Sequence, residues 1–254
     1  MRYSVASEPK VIGMTWEQFR EYFKTAWRPG EHIGLCGPTG EGKTTFAGGI
    51  LDQRRFVCVG DPKGGDETLA ALDLRRLNAW PGARQMAKLL EKDEKEGRKS
   101  HFVMGPIVQV GDDLPKLRKA IADSLDGVFD MGGWTYYLDE AQVAADRRLM
   151  NLAGKVDKLL VAARSKGVSV VLSFQQPRWV TGATLTQPTW FAVTGTRDTD
   201  TVNRLGELMG RPKAEIRGAL KGLDRYCWLI VGRNPREPLI VTKPDKIAPK
   251  RATS

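Results

Sequence analysis

Two rhythms of apolar and polar positions run through this chain. The runs Ile33–Cys36, Phe56–Val59, Trp134–Leu138, Val168–Phe174 and Trp190–Val193 are short and nearly all apolar. Runs of that length and composition predict buried strands. Between them lie stretches with apolar residues every three or four positions, the helical rhythm. In Thr15–Trp27 the residues Trp16, Phe19, Tyr22 and Phe23 share a face, Thr15 is placed to cap, and Arg28-Pro29-Gly30 breaks the pattern. A helix from Lys43 to about Gln53 follows the first strand. Met86–Arg98 predicts a charged, exposed helix. A helix capped by Asp113 carries Leu114, Leu117, Ile121, Leu125 and Val128 on one face and ends at Gly132-Gly133. Leu152, Val156, Leu159, Leu160 and Ala163 mark another, and a last one runs from about Asp200 to Met209. Phe102–Met104 and Ile107–Val110 are short strand candidates. Tyr226–Val231 and Leu239–Val241 predict an antiparallel hairpin around Asn234-Pro235.

Strands alternating with helices predict an α/β fold: three layers, a mostly parallel central sheet and a C-terminal antiparallel hairpin. In such sheets ligands sit at the carboxyl ends of the strands. Four polar clusters fall there: the loop Gly37–Gly42, Asp61-Pro62-Lys63, Asp139-Glu140 and Gln175-Gln176.

The chain has 254 residues, 41% hydrophobic and 28% charged, enough for a core without covalent staples. No apolar run reaches the ~18 residues of a membrane span, and the first residues lack an apolar signal core, so export is not expected. Cys36, Cys58 and Cys227 are odd in number and widely spaced, which argues against a disulfide framework or a cysteine zinc site. Two histidines, His32 and His101, do not make a histidine metal centre. Forty Lys and Arg against thirty Asp and Glu leave a net charge of +10. That excess favours an anionic partner, most simply nucleic acid, although it would also serve solubility alone.

Gly37-Pro38-Thr39-Gly40-Glu41-Gly42-Lys43-Thr44 matches G-x-x-x-x-G-K-[ST]. In this pattern the glycines let backbone N–H groups face phosphate oxygens, Lys43 reaches the outer phosphates, and the Thr44 hydroxyl joins a Mg²⁺ shell. The helix that follows, with Thr45 in its first turn, points its positive end at the same phosphates. Trp134–Leu138 delivers Asp139 toward the metal and Glu140 toward an attacking water as general base. Gln175 ends a buried strand at the same edge, where an amide can sense a terminal phosphate or water. Arg164 and Arg197 are candidates for a cation presented to a neighbouring subunit's site, and equally for surface arginines.

The order of these features resembles the FtsK/HerA superfamily of P-loop ATPases over roughly Gly30 to Val231. Asp61-Pro62-Lys63 is similar to that superfamily's Asp-Pro-Lys. The segment from Ala163-Arg164-Ser165-Lys166-Gly167 through the strand to Gln175-Gln176-Pro177 resembles its Arg-x-x-Gly, strand and Gln-Arg-Pro. Gln176 departs from the usual arginine and carries no role. The resemblance implies a RecA-like (ASCE) P-loop fold, ATP and Mg²⁺ as cofactors, and nucleotide contacts from Gly37, Pro38, Thr39, Gly40, Glu41, Gly42, Lys43, Thr44, Thr45 and Asp139. It makes Thr44 and Asp139 the metal ligands, Asp139-Glu140 the Walker B pair and Gln175 the sensor. It does not decide between Arg164 and Arg197.

The domain reading that follows is an N-terminal helical segment (1–29), an ATPase domain (30–242) and a basic tail (243–254). The implied activity is ATP-driven translocation of double-stranded DNA without sequence preference. The chain's size and lack of added modules most resemble a minimal viral genome-packaging ATPase. Such a motor implies a homo-oligomeric ring, hexameric or pentameric, that is cytoplasmic or virion-associated. A capsid vertex or membrane protein is the further partner it implies. The tail residues Lys243, Lys246, Lys250 and Arg251 are either a tether to DNA or a solvated end. The alternative is a P-loop motor or switch acting on a protein partner in secretion or assembly.

Overall fold

The structure is a computed structural model that describes residues 11–65, 67–107, 114–196, 198–234 and 236–245. Arg197, the cap candidate Asp113, most of the strand candidate Ile107–Val110, the turn residue Pro235 and the tail cations Lys246, Lys250 and Arg251 lie outside those residues.

The elements run in chain order as follows. β1 (Val11–Gly13) leads to α1 (Trp16–Ala26), β2 (Ile33–Cys36), α2 (Lys43–Leu51) and β3 (Phe56–Gly60). Next come α3 (Glu67–Ala70), β4 (Arg75–Leu77), α4 (Ala83–Lys95), β5 (Ser100–Met104) and α5 (Leu114–Met131). The second half holds β6 (Thr135–Leu138), α6 (Ala141–Ala145), α7 (Ala153–Ala162), β7 (Ser169–Phe174), α8 (Gly182–Thr186) and β8 (Trp190–Val193). It closes with α9 (Thr199–Met209), α10 (Lys213–Lys221), β9 (Trp228–Gly232) and β10 (Leu239–Thr242).

The ten strands form one sheet in the order β1-β10-β9-β8-β2-β7-β6-β3-β5-β4. Every neighbouring pair is parallel except β8–β9 and β9–β10, so β9 alone is reversed and β9–β10 is the expected hairpin. The strand that feeds the glycine loop, β2, is not beside β6, which carries the acids. β7 lies between them.

Side chains of successive strand residues point to opposite faces, and the core divides accordingly. Val57, Val59, Val103, Tyr137, Val171, Ile33 and Leu35 face α1 and α2. Cys58, Phe102, Met104, Tyr136, Leu138, Val170 and Leu172 face α4, α5 and α7. On that second face the opposite half of the sheet packs Phe191, Val193, Leu229 and Val231 against α9 and α10. Helices on both faces of one sheet make the three layers. α4 is less exposed than its charge suggests, because Met86 and Asp93 are buried.

α1 is fixed by a capping box, in which Thr15 and Gln18 exchange hydrogen bonds between side chain and backbone. Its aromatic face packs on α2. The ring centroids of Phe19 and Phe46 are 5.8 Å apart, and those of Phe46 and Trp228 4.6 Å. Gly49 of α2 permits that approach: a Cβ there would stand 2.3 Å from the Trp16 ring. Each buried aromatic contributes about 1.5–3 kcal/mol, so the helix that begins with Lys43 is held from behind. Among the described residues no helix is long and apolar enough to cross a membrane.

Candidate active site

Strand register assembles the site. Gly60 of β3 pairs with Leu138 of β6, and Leu138 with Leu172 of β7. One residue further along each strand, Asp61, Asp139 and Ser173 therefore share a row at the carboxyl edge. Cys36 pairs with Phe174 and Val193, which brings Gly37 and Gln175 to the same edge.

The glycine loop leaves β2 and enters α2 through Gly40 (φ 82°) and Gly42 (φ 81°). Both angles are left-handed, where a side chain is strained. Lys43 is buried, and its ammonium donates to the carbonyls of Gly37 and Pro38, both at 2.9 Å. Burial lowers its pKa, while the nearby carboxylates of Glu140 and Asp139 act in the opposite direction.

Asp139 is buried and its Oδ1 accepts from the hydroxyls of Tyr137 (2.6 Å) and Ser173 (2.7 Å). The Thr44 side chain lies beside the Tyr137 hydroxyl and acts to lower its pKa, so the loop threonine and the strand carboxylate meet at one phenol. Burial and the Asp139 charge both raise the Tyr137 pKa, which keeps it a neutral hydroxyl.

Glu140 is 4% exposed and has the left-handed backbone φ 51°, ψ 60°. Its N–H donates to Ser173 Oγ at 2.9 Å, so this hydroxyl receives from one acid's backbone and donates to the other's carboxylate. The Glu140 carboxylate accepts from Lys63 Nζ at 2.9 Å, from Gln175 Nε2 at 3.3 Å and from the Gln142 amide.

The structure thus brings together Lys43, Thr44, Asp139, Glu140 and Gln175. Arg164 lies elsewhere. It precedes β7 in a turn of 3₁₀ helix (Ala163–Lys166), at the amino end of the strand whose carboxyl end carries Gln175. There it packs on Gly30, where a Cβ would meet the Arg164 carbonyl at 2.8 Å. Sequence reasoning gave no role to Lys63, Ser173, Tyr137 or Gln142. Only Lys63 had a signal, as the cation of a polar cluster at a strand end.

The oxygen donors Thr44 and Asp139, both beside the Tyr137 hydroxyl, suit a hard cation such as Mg²⁺, which takes few protein ligands and completes its shell with phosphates and water. Among the described residues no cluster of three His, Cys, Asp or Glu offers a self-sufficient metal cage. A basket of backbone N–H groups, a buried lysine, a hydroxyl–carboxylate pair and a second carboxylate suit a nucleoside triphosphate and its hydrolysis.

No family model matches the chain, and no curated protein matches its sequence. Solved structures do. The genome packaging NTPase B204 from Sulfolobus turreted icosahedral virus 2, in complex with sulfate, aligns with 86% of this chain and 98% of its own, at 18% identity and a TM-score of 0.57. Its complex with ATP-gammaS gives 19% identity, 86% and 99% coverage, and a TM-score of 0.56. The chain has the fold of the RecA-like P-loop ATPases. VirB4 of Thermoanaerobacter pseudethanolicus shares this P-loop fold at 13% identity, with 86% of this chain and 90% of that one aligned and a TM-score of 0.53.

Proposed function

We propose that this chain is an ATP-hydrolysing translocase of double-stranded DNA, a genome-packaging motor of the FtsK/HerA kind that works as a homo-oligomeric ring. The observation that carries the reading is the convergence of Lys43, Thr44, Asp139, Glu140 and Gln175 on one sheet edge, with Glu140 buried and oriented by three donors. The near end-to-end likeness to a genome packaging NTPase supports the choice of motor. The net charge of +10 supports an anionic polymer as cargo.

In this reading Lys43 and the loop Gly37–Thr45, through the backbone N–H groups of all but Pro38, bind the phosphates of ATP. Thr44 and Asp139 hold Mg²⁺, which when bound neutralises phosphate charge. Glu140 takes a proton from the attacking water, and Gln175 reports on the terminal phosphate through its contact with that same carboxylate. Arg164, at the opposite edge of its own sheet, and Arg197 are the two candidates to serve a neighbour's site.

The test is ATPase rate and DNA binding across a salt series with two unrelated duplexes. Either sequence should bind equally well and stimulate the rate equally, and both effects should weaken steeply with salt. A ring-forming preparation that hydrolyses ATP and ignores DNA at low salt would instead favour a protein cargo.

A further inference from the structure

One exposed face of the molecule joins two segments that each lead out of the Glu140 site. After α6 the chain makes a tight loop. Asp146 Oδ1 accepts from the N–H groups of Arg148 and Leu149, and the Asp146 carbonyl accepts from Asn151 N–H at 2.8 Å. Met150 is wholly buried beneath it. The loop therefore holds Arg147, Arg148 and Leu149 outward on a fixed frame. After β7, two residues beyond Gln175, a 3₁₀ turn (Pro177–Trp179) presents Arg178 and Trp179. The Arg178 guanidinium lies 5.6 Å from the Trp179 ring centroid.

The two segments meet. Trp179 and Leu149 line one shallow groove of about 380 Å³ together with Gln142, the residue whose amide contacts Glu140. Trp179 is 46% exposed and Leu149 44%. Exposed large apolar side chains grouped with arginines mark interaction surfaces. Among the described residues none of Arg147, Arg148 and Arg178 has a carboxylate within salt-bridge distance. Of the acids beside these arginines, Asp146 is engaged by its own loop and Asp198 by Thr201.

We infer that Arg147, Arg148, Leu149, Arg178 and Trp179 form a docking surface for the sugar–phosphate backbone of duplex DNA. The inference rests on the DNA reading above and places the cargo on the chain. Charge complementarity carries it. Arg147 and Arg148 face no described carboxylate, and Arg178 stands outside salt-bridge distance of Asp198, the exposed acid on which its charge acts; the three guanidiniums match a row of phosphates, each able to make paired N–H contacts to phosphate oxygens. Trp179 and Leu149 supply apolar surface for the deoxyribose between phosphates. An acidic protein surface would need the same cations, but it would also leave the salt response short of the counterion release that a DNA polyanion gives. The position adds a consequence. Cargo on this face touches the two segments that begin at Gln142 and Gln175, the two amides on the Glu140 carboxylate.

The experiment uses the full chain, a fluorescent duplex at several salt concentrations, and the variants R147A/R148A/R178A and Trp179→Ala. Binding of ATP-gammaS to each variant, together with its melting temperature, shows that it is folded. The triple variant should bind DNA at least about tenfold more weakly. Its log–log salt slope should be shallower by about 2.7, at about 0.9 for each phosphate that an arginine no longer neutralises. Trp179→Ala should weaken binding with the slope unchanged. A folded triple variant with wild-type affinity and slope overturns the surface while leaving the DNA reading intact. A triple variant that binds DNA normally but changes its oligomeric mass also overturns it and makes the face a subunit contact. Absence of duplex binding by the wild-type chain at low salt overturns the DNA reading itself.

Discussion

Lys63 Nζ and Glu140 Oε1 stand 2.9 Å apart across 77 positions of sequence. The lysine side chain is about half exposed, while the carboxylate it meets is buried. The pair thus sits at the lip of the site, with its cation in reach of solvent and its anion inside. Breaking such a pair from one side leaves a buried charge with fewer partners, which costs more than the pair itself contributes.

A double-mutant cycle measures this relationship. Lys63→Met alone should destabilise the chain by about 1–2 kcal/mol, less than for a fully buried pair because the lysine is half in water. In the Glu140→Gln background the same change should cost much less, giving a coupling of about 1 kcal/mol. Urea midpoints of the four proteins provide the numbers. Strict additivity would mean that the contact contributes nothing to folding.

Lys43 and Glu140 should separate binding from turnover. Lys43→Ala removes the cation proposed to meet the phosphates and should abolish binding of an ATP analogue while the protein stays folded. Glu140→Gln keeps the shape and removes the proposed base, so the analogue should bind as before while hydrolysis falls by about 10²–10⁴-fold. Calorimetric titration beside a phosphate-release assay distinguishes them. A Glu140→Gln protein with an intact rate would place the base elsewhere.

Ser173→Ala tests how the two acids are held. The hydroxyl accepts from Glu140 N–H and donates to Asp139, so its loss leaves a buried N–H and a buried carboxylate each short of one partner. The expected cost is about 1–3 kcal/mol in stability, together with a lower kcat, both read from a melting curve and a steady-state assay. A fall in stability with kcat unchanged would confine Ser173 to a structural part.

His32 gives a pH dependence whose sign follows from its surroundings. It is buried at the start of β2, where Nδ1 accepts from Val170 N–H and Nε2 faces the Leu160 carbonyl, each at 3.0 Å. This arrangement fits a neutral ring, and burial pushes its pKa down to about 4 from the ordinary 6.5. Between those values the unfolded chain takes up a proton that the folded chain refuses. Stability is therefore full above about pH 6.5, declines as pH falls toward 4, and loses no more from this residue below that. The loss is at most about 3 kcal/mol. Denaturation at pH 7.5 and 4.5 should show the decline in the wild type and a smaller one in His32→Gln. Equal declines would assign it to other groups.

The central strands were legible because they are buried on both faces and so read as continuous apolar runs, Val168–Phe174 above all. β4 was not. Its Arg-Arg-Leu carries two cations at the sheet's edge, and its place depends on Arg75 pairing with Asp93 and lying over the Phe102 ring, contacts made across sequence. α10 was missed because only Ile216 and Leu220 are buried on it, too few to set a rhythm. At the site, Lys43, Asp139 and Glu140 stand in local patterns that sequence displays. Ser173 does not, since a serine inside an apolar run looks like any small strand residue. Its use comes from register, which places it beside Asp139.

β7 runs from the turn that carries Arg164 to the residues that hold the two acids, Ser173 and Gln175. Its six residues span about 20 Å, and hydrogen-bonded strands flank it on both sides, β2 and β6. A strand pinned along both edges neither stretches nor bends locally. No loop intervenes between the Arg164 turn and the residues that contact the two acids. One strand is therefore the direct covalent link between the turn of Arg164 at one edge of the sheet and the Glu140 site at the other.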